Sequence, residues 1–404
     1  MTISSGARAE RGAVLIQTVL MLTVLGGCCA MVLDYGVLWV SRGQIQAAAD
    51  AGALAGATVE AFDDMFDDSG MVEGAAQAMV TQNPVWGATA LSEVDIPDPD
   101  HDPCQIAGMP VAPPRSYTCV RVRAYRSQDH GNALPTFFGP LIGVTSQGVK
   151  ASSTAVAVPA NTTDCVWPLA IPDKWDEHSS PGNNTFDKYQ PTGPPALLPI
   201  PDVYVAPTAS TPGSGYSVNF STLSTNISLT LTQASMSPWQ PIQRGTYVPV
   251  RINRLDAGGF AASVATCNQT PVTIGTTLSV EPTATFTAAS IGAATRFAED
   301  AGASWNVGTQ RVQNSCAGDP SPCAPISPRR VVLPMFNTDL YENTRWPIGS
   351  TPTIRIVNFV GFFITSVSGS QITGYLTTYP GRVTPGQPMV GYISGFLRTA
   401  LLYR

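Results

Sequence analysis

The stretch "DIPDPDHDP" (95–103) gathers Asp95, Asp98, Asp100, His101 and Asp102, side chains that could hold a hard cation. Calcium takes oxygen ligands at such spacing, but the glycine and closing glutamate of an EF-hand loop are missing. The prolines favour a solvated acidic loop, so calcium binding at 95–102 stays open and no metal site or cofactor is assigned. The histidines are His101, His130 and His178, none in a recognisable motif. There is no G-x-S-x-G elbow, H-E-x-x-H pair, Walker A loop or Rossmann glycine set. Nothing therefore supports a nucleophilic triad or metal-assisted hydrolysis, and the expected class is non-catalytic.

Cysteine is the other reactive type. Of the eight, Cys28 and Cys29 fall in an apolar run and the rest lie beyond it. An even number in an oxidising compartment reads as disulfides. Proximity suggests Cys104–Cys119 and Cys316–Cys323, which leaves Cys165 with Cys267. Zinc is disfavoured because no C-x-x-C occurs and histidines are few.

These groups sit on a chain of 404 residues with only 12% charged, 44% hydrophobic, 36 Gly and 35 Pro. Such a balance suits a β-rich, turn-rich protein outside the cytosol rather than disorder. The net charge of −6 with scattered Lys and Arg gives no footprint for nucleic acid.

Ala13 to Leu33 carries no formal charge and is long enough to cross a hydrocarbon core of about 30 Å. Arg8 and Arg11 precede it, which by the positive-inside rule holds the N-terminus in the cytoplasm and sends the main domains out. Asp34 and Arg42 mark its far boundary, with Arg11 marking the near one. An uncleaved anchor ranks first. Lipidation at Cys28 ranks second, since "LGGC" resembles a lipobox but the chain stays apolar beyond it. Prepilin-type cleavage after Gly12 ranks third, with Gln17 where type IV pilins carry glutamate.

Residues 41–57 include strong helix formers (Ala, Gln, Leu), and no proline follows until Pro84. A helix from 13 to 57 would extend roughly 68 Å and must project from the membrane. Ala48, Gly52 and Gly56 share one face, where small side chains let another element approach closely. That element is either the chain's own domain or a partner helix, including a second copy. Gln46 and Asp50 form a neighbouring polar stripe. A second helix is expected from about Ser69 to Gln82, opened by Asp68/Ser69 and stopped by "NP".

The segment "RGAVLIQTVLMLTVLGGCCAMVLDYGVLWVSRGQIQAAADAGALAGA" resembles the N-terminal region of TadG-like proteins of the Tad (tight adherence, Flp-type) pilus assembly system. Arg11-Gly12, Asp34-Tyr35-Gly36, Arg42, Gln46 and the block at 48–57 carry the likeness. "GNALPTFFGPLIGV" (131–144), "CVWPLAIPDKW" (165–175) and "IRIVNFVGFFI" (354–364) match more loosely. The resemblance implies a non-catalytic envelope component at the inner membrane, with other Tad pilus or envelope assembly proteins as partners. The D-x-S-x-S metal motif that some members carry is missing here.

Residues 117–126 alternate, with Val120, Val122 and Ala124 on one side and Arg121 and Arg123 on the other, as in a half-buried strand. A second strand is expected over 148–158. The apolar connection "LPTFFGPLIG" either packs on the emerging helix or touches lipid. From 216 onward, short β-prone runs alternate with turn signals, and "IVNFVGFFI" reads as a doubly buried strand. One helix is expected near Ala288 to Ala301.

The expected architecture is therefore an N-terminal transmembrane helix extended into an α+β pilin-like unit, followed by a β-rich extracytoplasmic domain of sandwich or barrel-like form. The boundaries are a cytoplasmic N-terminus (1–12), transmembrane helix (13–40), emerging helix and α+β unit (41–160), Pro/Gly-rich loops (161–215) and β-rich domain (216–404). Function narrows to a pilus-assembly component that packs through its N-terminal helix, possible self-association included. A surface adhesin or ligand-binding protein is the alternative, and an anchored hydrolase is the weaker one.

Overall fold

In the computed structural model, residues 7–62, 70–97, 119–177, 188–189, 202–217, 227–235, 241–252, 259–316, 327–344 and 352–403 are described. The proline-free N-terminal region folds as one unbroken helix, α1 (Ala7–Phe62), of 56 residues. At 1.5 Å per residue it extends about 84 Å. From Val14 to Leu33 its side chains are exposed all round apart from half-buried Ala30, an isolated stretch of about 30 Å. Beyond Asp34 one face becomes buried: Val37, Ser41, Ile45, Ala48, Ala49, Ala53, Ala57 and Ala61 recur at helical spacing. The same helix thus meets two surroundings, and Asp34 sits at the change.

Helix α2 (Met71–Gln82) returns along α1. It starts at Gly70, whose left-handed backbone makes no side-chain cap, rather than at the expected Asp68/Ser69; those two lie outside the described residues. Strands β1 (Leu91–Asp95), β2 (Cys119–Arg126) and β3 (Val149–Pro159) form an antiparallel sheet in that order. On β2, Val120, Val122 and Ala124 are buried and Arg123 is exposed, as the alternation predicts. The buried faces of α1 and α2 and the inner face of this sheet make one core.

The sheet has a further member. The C-terminal strand Leu397–Tyr403 lies antiparallel to β3, pairing Arg398 with Pro159 and Tyr403 with Thr154. The chain therefore leaves the first unit after β3 and comes back to complete it. The pattern of 397–403 specifies a strand but not the sheet it joins.

Between these two strands lies a β-rich region. Strands β4 (Leu169–Pro172), β5 (Ser228–Gln233), β6 (Thr246–Arg251), β7 (Thr277–Val280), β8 (Arg330–Phe336), β9 (Thr353–Ser368) and β10 (Gln371–Thr377) form a seven-stranded sheet. Its order is β7-β9-β8-β4-β6-β5-β10, and the extra pairings β6–β7 and β9–β10 link its ends back to the interior. Alternate residues enter two different cores: Ala170, Val248 and Val332 one, Leu169, Tyr247, Val331 and Leu333 the other. "IVNFVGFFI" is an interior strand within β9, flanked by β8 and β10. Helices α3 (Gly259–Ala265) and α4 (Phe286–Glu299) cover the second core.

Arginine and aspartate staple these layers. Arg329 is buried between the rings of Phe297 and Phe363 and donates to the carbonyls of Asp300, Ala303 and Ile364. At the end of β4, buried Asp173 accepts from the N–H groups of Lys174 and Tyr216 and from the Tyr204 hydroxyl, tying 202–217 to the sheet. Burial pushes its carboxyl from 3.8 up to about 6, against the pull of those hydrogen bonds. A carboxyl that holds its proton more tightly folded than unfolded makes the fold less stable as pH rises through that interval. The loss, on the order of 3 kcal/mol, is complete above about pH 6. Asp173→Asn keeps an acceptor but cannot ionise. Its melting temperature relative to the parent should therefore rise from about pH 4 to about pH 7. A difference that stays constant over that range contradicts burial as the governing cause.

Candidate membrane-anchoring and helix-packing site

The small residues of α1 are where the helix is approached most closely. A Cβ placed on Gly52 would lie 2.6 Å from Val80 Cγ2 and 3.0 Å from the Ala76 carbonyl; one on Gly56 would lie 2.7 Å from Val120 Cγ1. Ala48, on the same face, is fully buried. The face identified from Ala48, Gly52 and Gly56 is thus filled by the chain's own α2 and β2, leaving no room there for a helix of a second copy. The neighbouring polar stripe docks as well. Gln46 donates to Asp50 (2.9 Å) and to the Ser152 carbonyl on β3 (3.5 Å), and Gln44 accepts the Trp86 N–H at 2.7 Å.

Asp34 closes the other end of this interface. Its carboxylate accepts the N–H of Phe137 (2.7 Å), of Phe138 (3.1 Å) and of Gly139 (2.8 Å). Gln147 adds a hydrogen bond to the Asp34 carbonyl at 3.3 Å. The loop so held is built to present those amides. Thr136 Oγ1 donates to the Val144 carbonyl at 2.8 Å, and the Val144 N–H returns to the Gly139 carbonyl at 2.9 Å. At position 139 only glycine fits, since a Cβ would stand 2.2 Å from the Val144 oxygen. A short 3-10 turn, Gly139–Ile142, follows directly. Nothing in the sequence pairs Asp34 with residues more than a hundred positions away. The apolar character of 134–143 was the available signal.

Of the other boundary residues, Arg42 is exposed on α1 beyond Asp34, while the side chain of Arg11 lies outside the described residues. Cys28 and Cys29 are free and exposed on the isolated stretch. Cys165 and Cys267 are joined, with Cα atoms 4.5 Å apart. Cys119 and Cys316 are disulfide-bonded; their expected partners Cys104 and Cys323 lie outside the described residues, as does most of the acidic loop. Asp95, at its start, pairs with Arg121 across β1–β2 at 3.2 Å.

By length and composition, α1 is the helix apolar enough to cross a membrane among the described residues. Residues 12–59 match a family model. It is the Tad family, described as "Putative Flp pilus-assembly TadE/G-like". The matched Tad segment runs from the start of the isolated stretch through Asp34 to just past Gly56, so it covers both surroundings of α1. No curated protein and no solved structure matches the chain.

The β-rich region holds a cavity of about 780 Å³ beside Cys165–Cys267, lined by Asp164, Arg296, Glu299, Arg330 and Arg382 among others. The guanidinium of Arg296 is committed to the carbonyls of Val264, Thr266 and Pro328, and that of Arg330 to Thr378. Both guanidinium groups thus hold backbone carbonyls at the wall of the cavity.

Two outcomes test the site. Gly52→Leu should destabilise the folded unit by about 1–3 kcal/mol through overpacking against Val80. Gly74→Ala, on α2 with open space around it, should be neutral or stabilising by up to about 1 kcal/mol. Equal thermal melts for the two variants contradict the packing. Asp34→Ala should speed amide exchange at Phe137, Phe138 and Gly139 by about tenfold, since charge-assisted bonds are lost; unchanged exchange there contradicts the latch.

Proposed function

We propose that this chain is a non-catalytic, single-pass component of a Tad/Flp-type pilus assembly or tight-adherence apparatus. In this reading Val14–Leu33 crosses the inner membrane, with the N-terminus cytoplasmic and the remaining domains outside. The observation that carries it is the Tad match over 12–59, coincident with a helix that is bare for one membrane thickness and then packed on a sheet. A helix half in lipid and half laid across an antiparallel sheet is a pilin-like design. The β-rich region is the part free to dock on other pilus or envelope assembly proteins. Because the Ala48/Gly52/Gly56 face is filled internally, contact with those partners falls to other surfaces. Affinity capture of the full chain from detergent-solubilised envelopes should bring down Tad assembly proteins. Recovery of the chain alone, together with normal piliation after its deletion, counts against this function.

A second reading, a surface adhesin or ligand-binding protein, is favoured by the 780 Å³ cavity in the β-rich region. Removing that region separates the two readings, provided the C-terminal strand is kept. The Ala160 N–H bonds the Leu397 carbonyl at 2.7 Å, so the chain can be closed there by a short turn. A variant with 161–396 replaced by such a turn should stay folded. Loss of ligand binding with normal pilus assembly then supports the adhesin, and loss of assembly supports docking through this region.

A further inference from the structure

We propose that the loop Thr136–Val144 is a second membrane contact, inserting Phe137, Phe138 and Leu141 into the headgroup–acyl boundary of the bilayer that α1 spans. The proposal rests on the membrane-anchor reading above. It starts from an exposed apolar cluster: Leu141 is 84% exposed, Phe137 60%, Val144 46% and Phe138 39%. No charged residue occurs from 131 to 149. Contiguous apolar surface of this kind marks an interaction site.

Position decides what covers it. Asp34 fixes the loop at the residue where the isolated apolar stretch of α1 ends and its buried face begins. Leu33, Tyr35 and Trp39, exposed on the helix around the same level, continue the apolar surface from the span. Aromatic side chains at this height suit the membrane–water interface. A protein partner seated on the loop would have to lie within the headgroup layer, so lipid is the occupant the placement favours.

Backbone chemistry agrees. Irregular loops are kept out of apolar surroundings by unsatisfied peptide groups. Here the N–H groups of Phe137, Phe138 and Gly139 go to Asp34, and Pro140 has none to satisfy. The Leu141 N–H bonds the Phe138 carbonyl, Gly143 bonds Pro140, and Val144 bonds Gly139. The loop thus turns its side chains outward with these donors already satisfied, and its entry into the interface costs little. Gripping the membrane at two points would fix the tilt of the folded unit, which a lone helix leaves free.

The test uses the full chain in nanodiscs of phosphatidylcholine and phosphatidylglycerol, with Cys28 and Cys29 replaced by alanine. A nitroxide is placed singly through Phe137→Cys, Leu141→Cys, Leu25→Cys or Thr58→Cys, and its exposure to oxygen and to a water-soluble nickel chelate is compared. The expected result is a severalfold higher oxygen-to-nickel ratio at 137 and 141 than at Thr58→Cys, approaching that at Leu25→Cys. A ratio at both loop positions equal to that at 58 overturns the proposal while leaving the anchor intact. Shielding from both reagents assigns the surface to a protein partner or second copy and overturns it too. Free nickel access at Leu25→Cys overturns the anchor reading, and the proposal with it.

Discussion

The close approach of α1 to α2 and β2 at Gly52 and Gly56 is the contact on which the rest of the molecule depends. A helix of 56 residues has no stability of its own beyond local hydrogen bonds, and from Val14 to Leu33 this one is exposed apart from half-buried Ala30. The stretch beyond Asp34 must be held tightly enough to carry the sheet and everything inserted after it. Small residues achieve this by bringing backbones together, so that Val72, Ala76 and Val80 from α2 and Val120 and Val122 from β2 pack directly on the helix surface. Bulk on that face would pry the sheet from the helix. The same residues that look interchangeable in composition are thus the most constrained in space.

From that contact the architecture follows in both directions. Toward the bare apolar stretch, the buried face runs down to Val37, and Asp34 ends it by collecting three amides of a loop more than a hundred residues on. Away from that stretch, the sheet gains the C-terminal strand beside β3, and Tyr379–Pro380 pairs in turn with that strand. The β-rich region hangs from two adjacent strands, entering after Pro159 and leaving before Leu397. Its own integrity comes from strands buried on both sides and from staples such as Arg329, Asp173 and the Cys165–Cys267 bond. The Tad-matched segment therefore includes, besides the bare apolar stretch, the surface on which the first unit is built.

Much of this was legible because it is local. The uncharged run to Leu33, the four-residue spacing of Ala48, Gly52 and Gly56, and the alternation of Val120, Val122 and Ala124 each reflect one element's period. What was not legible depended on distant pairing. The small-residue face could have served a second chain until Val80 and Val120 were seen against it. Asp34 read as a boundary charge, since no pattern announces that a carboxylate will cap a remote loop. The strand 397–403 carried no mark of which sheet it would join, and α2 has Gly70, in the left-handed region, at its N-cap. Register and closure are set by the whole chain, so a single stretch cannot reveal them.

In the proposed function one continuous helix changes surroundings at Asp34, from lipid to its own protein. Single cysteines along residues 20–47 of the full chain, in native membranes and with Cys28 and Cys29 removed, can be challenged with a water-soluble maleimide. Protection should be uniform up to Leu33. Beyond it, reactivity should follow the helical period, with positions 43 and 47 labelled and positions 37, 41 and 45 protected. Periodic labelling that continues down through residues 20–33 would contradict it.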